Sequence, residues 1–440
     1  MSTATILILL SVALIAGLLL SRLAKLVHLP AVTAYLVAGI LIGPFVLGSF
    51  RIEGLGFSSL EQVESLSILC DLALGFIAFA IGNEFRLTQL RQIGKQAAVI
   101  GVLQAVFTTL LVDIVLIGLH FVIPDLLPLP IAIVLGAIAA ATAPAATLMV
   151  VKQYKAKGPL TTILLPIVAL DDAVGLVLFA VSFGVARSLG SGNVSVLSVV
   201  LEPICEVILS LLLGTVMGLL FHFMERFFHS RSKRLAVSVA FVMLTVGISS
   251  LTFHIGGLHI AFSSLLACMM LGTIFCNICD FSEELMDRVD RWTAPLFILF
   301  FVLSGAELNL GVFSNWILVL IGVVYILARS FGKYFGAFIS SKLMKCEPNI
   351  VKYLGITLLP QAGVALGMAT KASDPVFGIP GGDLITNITL FAVLVYEIIG
   401  PFLTKISLSK AGEISPEGKT SARHEYAQKM AAASENGSAK

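Results

Sequence analysis

The chain has 440 residues, of which 58% are hydrophobic and only 12% are charged, and its formal net charge is +2. A mean hydropathy of +1.01 excludes a soluble globular protein, and repeated apolar runs of about 20 residues indicate many helical membrane spans. The six cysteines lie in or beside these runs, which argues against a disulfide framework. Cys276 and Cys279 have CxxC spacing without a second pair, so we expect packing rather than a metal or redox role.

The hydropathy pattern predicts thirteen membrane segments. The first has no basic residue before it and no small-residue cleavage site, so we expect it to be retained as a helix. After Ser409 the sequence becomes polar, which predicts a transmembrane domain over 1–409 and a short disordered cytoplasmic tail over 410–440. The predicted segments are, approximately, 4–22, 30–48, 66–83, 97–123, 128–151, 159–186, 197–224, 235–253, 258–279, 292–307, 312–341, 352–371 and 384–408.

Basic residues are distributed unevenly between the two sets of loops. The loops after odd-numbered segments carry 17 Lys and Arg residues, whereas the loops after even-numbered segments carry 3. Because basic loops stay in the cytoplasm, we expect an external N-terminus and a cytoplasmic C-terminus in a cell inner (plasma) membrane. The alternation also agrees with an odd number of spans.

Two sequence patterns occur twice. Residues 82–87 (GNEFRL) end the third segment and residues 305–310 (GAELNL) end the tenth, at an offset of 223. This offset spans about seven segments, and an odd number reverses the chain direction across the membrane. The sequence therefore predicts two inverted repeats, which are typical of secondary transporters. At a similar offset, Leu29, Ala38 and Gly43 match Leu258, Ala267 and Gly272.

Charged residues stand at the centres of the sixth and eleventh segments. Asp171 and Asp172 are adjacent in the sixth, and Arg329 and Lys333 lie four residues apart, on one helical face, in the eleventh. One charge at bilayer depth costs about 3 kcal/mol or more, so we expect the acids to form a site for a cation and protons. A salt bridge between the two helices would stabilise the bases, and a purely structural ion pair is the alternative.

The repeat relates the fifth segment to the twelfth, and both contain helix breakers. Pro144 interrupts the fifth, while Pro360 and Gly363 interrupt the twelfth. Proline frees a carbonyl of the preceding turn, and in a membrane such groups are tolerated where they line a cavity or meet protein. Matching interruptions predict a midplane binding site, and a kink without a ligand is the alternative. Side-chain oxygens that suit a hard cation are those of Thr142, Thr147 and Gln361.

Four stretches, together with the two adjacent aspartates, resemble bacterial monovalent cation:proton antiporters. They are 29–44 (LPAVTAYLVAGILIGP), 79–84 (FAIGNE), 300–308 (FFVLSGAEL) and 359–367 (LPQAGVALG). The resemblance covers about residues 5–405. It implies an all-α membrane protein of about thirteen transmembrane helices in two inverted repeats, with two broken helices that cross in a core domain. The implied core comprises approximately 97–186 and 312–408, and the remaining helices form the linker and the dimerisation side.

The resemblance also implies roles for the charged residues. Asp172 matches the main cation ligand of the family, and Asp171 matches its partner acid. The membrane-embedded Lys of many members maps best to Arg329, in the pattern ARSFG. Arginine does not release a proton, so Lys333 is the alternative basic partner. The coupling ratio is two protons per cation if such a base takes part in proton transfer, and one proton per cation if it does not. Glu397, in the counterpart of the sixth segment, is a further candidate.

These residues predict a secondary antiporter, with no cofactor and no enzymatic activity. Neighbouring carboxylates in a low dielectric do not both ionise easily, so a proton and a cation compete for the same oxygens. Na+ is the expected cation, with Li+ and K+ as further candidates. A K+-selective efflux antiporter and a solute symporter of the same fold are the alternatives.

Further expectations follow from the resemblance. It implies a homodimer in the lipid bilayer with a role in pH homeostasis, and no nucleic-acid partner is expected. The paired acids resemble electrogenic members of the family, which exchange two protons for one cation.

Overall fold

The computed structural model describes residues 2–26, 29–50, 52, 54–83, 85–191, 196–228, 230–251, 253–255, 258–260, 262–279, 282–308, 311, 316–373, 379 and 381–414. Residues 415–440 of the expected tail therefore lie outside the described residues. Within these ranges the protein is helical apart from one short hairpin. The helices are α1 (Thr3–Leu26), α2 (Ala31–Ile42), α3 (Leu60–Glu64), α4 (Ser67–Asn83), α5 (Leu87–Val122), α6 (Leu129–Ile138), α7 (Pro144–Gln153), α8 (Pro159–Ser191), α9 (Val196–Glu225), α10 (Arg231–Ser249), α11 (Ser264–Ile278), α12 (Ser282–Glu307), α13 (Trp316–Leu343), α14 (Pro348–Thr357), α15 (Gly363–Ala372) and α16 (Asp383–Lys410), with a 3-10 helix at Leu47–Phe50.

The predicted all-α membrane fold is confirmed. Nine helices in the described part of the chain are long and apolar enough to cross a membrane. The apolar helices α4, α6 and α11 are shorter. Helices α6 and α7 together form one crossing, and α14 and α15 form another. Counted in this way, the helices account for the thirteen predicted segments.

The start of the ninth segment was wrongly predicted as helix. Residues 258–260 form strand β2 (Leu258–Ile260), which pairs antiparallel with β1 (Phe253–Ile255). Helix α11 begins only at Ser264, after the Ser263 hydroxyl accepts a hydrogen bond from the backbone N–H of Leu266. A run as short as three residues fits a strand as well as a helix, and the cap at Ser263 decides where the helix begins.

Both predicted helix interruptions are present. Helix α6 ends at Ile138 and α7 begins at Pro144, where the missing N–H of proline leaves no helical hydrogen bond unmade. Helix α14 ends at Thr357 and α15 begins at Gly363. The two breaks touch, because the backbone N–H of Ala143 donates to the carbonyl of Pro360 at 2.8 Å.

The helix contacts repeat with the two halves exchanged. Helix α2 packs on α12 as α4 packs on α11, and α6 contacts α16 as α14 contacts α8. At the first two crossings, Gly39 lies against the backbone of Val302 and Gly272 against that of Phe79. The contacts therefore pair Gly272 with Gly39 rather than with Gly43, because Gly39 and Gly272 each lie against a backbone carbonyl of the facing helix, whereas Gly43 follows the end of α2.

Buried apolar side chains form two groups. Helices α5, α6, α8 and α13–α16 share the larger cluster and a second one near the start of α8. Helices α1, α2, α4 and α9–α12 share the others. Helices α7 and α8 lie between the two groups, since Leu148 and Leu165 pack against the second. This arrangement places the helix breaks and α8 beside a boundary between two packed bodies.

Candidate cation and proton site

Helix α8 carries the two adjacent acids into the interior of the protein. Asp171 is fully buried and Asp172 is 5% exposed. Consecutive residues of a helix point about 100° apart, so the two carboxylates meet different neighbours. Asp171 is therefore surrounded by hydrogen-bond donors, whereas Asp172 faces a cavity.

Asp171 accepts hydrogen bonds from three side chains. The Thr142 hydroxyl donates to Oδ2 at 2.6 Å, the Lys333 ammonium donates to Oδ2 at 2.9 Å, and the Gln104 amide donates to Oδ1. These donors come from the first helix break and from α13 and α5. The carboxylate of Asp171 is therefore fully engaged by protein groups.

Lys333 forms an ion pair with one of the two acids, Asp171. Both side chains of the Lys333–Asp171 ion pair are 0% exposed. Its Nζ also donates to Gln104 Oε1 at 3.0 Å and to the carbonyl of Ala140, in the first break, at 2.5 Å. The ammonium group thus uses all three of its N–H groups, which is how a charge is accommodated at this depth.

Arg329 contacts backbone carbonyls of the helix breaks, whereas the resemblance implies that it pairs with an acid. Its guanidinium donates to three carbonyls in the breaks, those of Ala139 at 3.0 Å, Ala141 at 2.6 Å and Leu359 at 2.7 Å. It also lies over the ring of Tyr396, at 4.4 Å from the ring centroid. These carbonyls follow α6 and α14, and the C-terminal end of a helix attracts a cation. Arginine suits this position because its planar fork reaches several acceptors at once.

Asp172 retains a free carboxylate oxygen. Its Oδ1 is buried and has no hydrogen-bond partner among the residues that the structure describes. The side chain lines a cavity of about 240 Å³ at the face where α15 ends, between α8, α9, α11 and α15. The other residues that line this cavity are Leu176, Phe179, Glu206, Ser263, Leu265, Val364, Gly367, Met368 and Lys371. An unpaired acid in a small cavity is the kind of group that binds a cation or a proton.

The three expected oxygen ligands are not all beside the acids. Thr142 is, through its bond to Asp171. The Thr147 hydroxyl donates to the carbonyl of Ala143 within its own helix at 3.3 Å. The Gln361 amide donates to the carbonyl of Ile138 at 3.1 Å and to the Tyr325 hydroxyl at 3.2 Å, and its Oε1 is buried without a partner in the described chain. Thr147 and Gln361 therefore support the breaks in this conformation.

Glu397 also lies apart from the network. It is buried on α16. Its carboxylate makes no hydrogen bond or ion pair with Asp171, Asp172, Arg329 or Lys333.

Gln104 is a buried member of the site that the sequence patterns do not select. It stands in the middle of α5, outside every motif that carries the resemblance. The signal that could have identified it is a polar residue at the centre of an apolar helix, followed by Thr108, whose hydroxyl donates to the Gln104 carbonyl at 2.7 Å.

A second, larger cavity lies at the face where α8 begins. Its volume is about 1,020 Å³, and it is lined by α2, α7, α8 and α12. Two polar contacts link α7 to the helices on the other side of this cavity. Lys152 forms an ion pair with Asp290 of α12 at 2.7 Å, and the side-chain carbonyl of Gln153 accepts from the backbone N–H of Ala31 at 2.8 Å.

Two interrupted helices that touch beside buried charges, inside an inverted repeat, define a secondary ion transporter. Comparison with known proteins gives the family. Residues 9–410 match the family described as sodium/hydrogen exchanger, transmembrane, and the chain belongs to this family. The resemblance to cation:proton antiporters is thereby confirmed, and the protein is a multi-pass membrane protein of an antiporter family.

Relatives match over nearly their whole length. The chain is 24% identical to the Na(+)/H(+) antiporter NhaS4 of Synechocystis sp., over 92% of this chain and 96% of the relative. It is 23% identical to the probable Na(+)/H(+) antiporter 3 of Methanocaldococcus jannaschii, over 89% and 94% of the two chains. Structures of the sodium proton antiporter MjNhaP1 from Methanocaldococcus jannaschii have the same fold. One superimposes with a TM-score of 0.62 at 22% identity, covering 92% of this chain and 95% of that one. The other gives a TM-score of 0.69 at 19% identity, covering 94% and 96%.

Proposed function

We propose that the protein exchanges Na+ for protons across the plasma membrane by alternating access, with Asp172 as the group for which the two ions compete. One observation carries this proposal. Asp172 offers a carboxylate oxygen that is buried and has no partner among the described residues, and its side chain lines a cavity of about 240 Å³. Carboxylate oxygens are the ligands that hard cations prefer.

The charge balance gives the physical basis for exchange. The Asp171–Lys333 pair is neutral as a unit, and the Arg329 guanidinium is held by three backbone carbonyls of the breaks. An ionised Asp172 therefore carries a negative charge that has no ion-pair partner among the described residues. Either a proton or a monovalent cation at Asp172 cancels that charge. An uncompensated charge is costly at membrane depth, and we infer that the core moves readily when the site is occupied and rarely when it is empty.

The stoichiometry depends on Lys333. In the two-proton cycle that we propose, the incoming cation displaces one proton from Asp172, Asp171 leaves Lys333 to join the cation, and Lys333 releases the second proton. Two protons then exchange for one cation and the transport is electrogenic. Buried lysine can release a proton, whereas Arg329 cannot.

The test of this cycle is the response of Na+-driven exchange to an imposed potassium–valinomycin potential. We expect the wild-type rate to change with the potential and the rate of the Lys333→Gln variant to be indifferent to it. A wild-type rate that ignores the potential contradicts the two-proton cycle, and exchange is then one for one.

Alternating access is supported by the two cavities. Both lie between the α5–α8 and α13–α16 group, which we propose as the transport core, and the remaining helices, which we propose as the dimerisation side of a homodimer. By the positive-inside rule, the cavity at Asp172 faces outward and the larger cavity faces the cytoplasm. The Lys152–Asp290 ion pair and the hydrogen bond between Gln153 and Ala31 link the core to the other helices on the cytoplasmic side. Both contacts must break when the core moves.

The experiment that tests the exchange itself uses purified protein in proteoliposomes that contain a pH-sensitive dye. Na+, Li+ and K+ are added outside in separate assays. We expect Na+ to raise the lumenal pH as protons leave in exchange for the cation. Absence of a response to all three cations contradicts the proposed function, and a response to K+ alone favours the K+-selective alternative.

A further inference from the structure

Helices α5 and α13 touch through glycines on the same face as Lys333. A Cβ atom added at Gly336 would lie 3.1 Å from the Gln104 Cα, and one added at Gly332 would lie 3.0 Å from the Thr108 Cα. Larger residues at these two positions would push the helices apart. The close approach explains how the short side chain of Gln104 reaches an ion pair formed by two other helices.

The hydrogen bonds determine the orientation of the Gln104 amide. Lysine only donates hydrogen bonds and a carboxylate only accepts them. The amide oxygen must therefore face Lys333, at 3.0 Å, and the amide nitrogen must face Asp171. The nitrogen also donates to the carbonyl of Gly101, at 3.0 Å. Gln104 thus bonds both ends of the ion pair at once, and it does so while fully buried.

The three side chains that donate to Asp171 differ in whether they can keep that hydrogen bond when a cation binds. Lys333 leaves Asp171 when it releases its proton. Thr142 can stay, because its hydroxyl can donate to Asp171 while its oxygen faces a cation. Gln104 has an N–H group on Asp171 Oδ1, and this N–H repels a cation that approaches the same oxygen. A cation therefore has to displace the amide before it gains that oxygen.

We propose that Gln104 is a positioning residue that holds Asp171 and Lys333 together in the cation-free state and thereby weakens cation binding. The inference rests on the proposed function, because it needs a cation that competes with the network. Its consequence is that Gln104 keeps the apparent KM for the cation high. In this way it favours release of the cation and return of protons to the site.

The variant that tests this is Gln104→Met, which keeps the length of the side chain and removes both polar groups. We expect the apparent KM for Na+, measured as ²²Na+ uptake into proteoliposomes at one fixed pH, to fall about tenfold. This factor corresponds to ~1.4 kcal/mol, the order of one hydrogen bond to a charged group. The maximal rate should fall or stay unchanged. A purely structural role does not predict tighter binding, since loosening of a site weakens it.

The matched control is Gln96→Met, the same substitution two helical turns earlier in α5. Gln96 donates to the Met344 carbonyl at 3.3 Å, away from the ion pair, so we expect its KM to equal that of the wild type. Gln104→Asn, which keeps an amide but shortens its reach, should lower KM in the same direction and replaces the Met variant if that variant does not fold.

The outcomes separate the two proposals. Wild-type protein without cation-driven proton movement overturns the proposed function. Wild-type transport with an unchanged or raised KM in both Gln104 variants overturns the role of Gln104 and leaves the function standing. A lowered KM in Gln104→Met and Gln104→Asn, but not in Gln96→Met, supports the inference.

Discussion

Removal of Lys333 should be among the most destabilising single changes in this protein. The substitution Lys333→Met removes the charge that compensates Asp171 and leaves that carboxylate with Thr142 and Gln104 alone. Both side chains of the pair are 0% exposed, so water cannot screen the remaining charge. Breaking a buried pair from one side costs about 3–5 kcal/mol.

The matched control is Lys152→Met, which breaks an ion pair of the same chemistry at the edge of the protein. The side chains of Lys152 and Asp290 are 26% and 33% exposed, and exposed pairs contribute about 0–1 kcal/mol. The assay is the melting temperature of the purified protein in one detergent. We expect a clearly larger decrease for Lys333→Met than for Lys152→Met.

A double variant distinguishes loss of the pair from loss of packing. Adding Asp171→Asn to Lys333→Met removes the unpaired charge, and replacing both partners of a buried pair is often neutral. We therefore expect the double variant to melt at a higher temperature than Lys333→Met alone. Equal melting of Lys333→Met and Lys152→Met, or a double variant that melts lower than the single one, would contradict the described pair.

Three further predictions concern the elements around the site. Pro144→Ala should change the apparent KM for Na+ less than Arg329→Gln does, because Pro144 occupies the first position of α7 while Arg329 holds three carbonyls of the breaks; a larger effect of Pro144→Ala contradicts this. Replacing Lys152 and Asp290 by cysteines and joining them with a short bis-maleimide should arrest exchange, because it fixes α7 to α12. Continued exchange after complete cross-linking would show that the Lys152–Asp290 contact need not break. Glu413→Ala should destabilise the protein by about 1–2 kcal/mol, since its carboxylate accepts from the backbone N–H groups of Leu160 at 2.6 Å and Thr161 at 2.7 Å at the start of α8. Glu347→Ala is the control, because Glu347 precedes α14 without a side-chain cap, and equal melting of the two variants would contradict the cap.

The number of spans and the positions of the breaks could be predicted because both depend on local sequence. A membrane-crossing helix needs about 20 apolar residues, and Pro144 and Pro360 lack the N–H that a continuous helix needs at their positions. The hairpin before α11 was missed for the opposite reason. The short run Leu258–Ile260 fits a strand as well as a helix, and its pairing with 253–255 is a contact that hydropathy does not contain.

The acids could be identified from their position in an apolar helix, and Thr142 and Lys333 were among their expected neighbours, but the sequence did not decide which base pairs with Asp171 and did not select Gln104. Arg329 and Lys333 share one face of α13, and one turn of helix, about 5.4 Å, decides which of them reaches Asp171. That turn is set by packing of α13 against α5 at Gly332 and Gly336. Gln104 lies 67 residues from Asp171 along the chain, and only the folded protein brings the two together.

The central claim is that a cation and a proton compete at Asp172, and Asp172→Asn tests it most directly. Asparagine has nearly the same shape and cannot carry the exchanged proton. The measurement is the change of lumenal pH on addition of Na+ to proteoliposomes that contain equal amounts of wild-type, Asp172→Asn or Asp125→Asn protein, where Asp125 is an exposed residue between α5 and α6. We predict wild-type exchange for Asp125→Asn and none for Asp172→Asn, which should still purify as a folded protein. Exchange at the wild-type rate in Asp172→Asn would contradict the account.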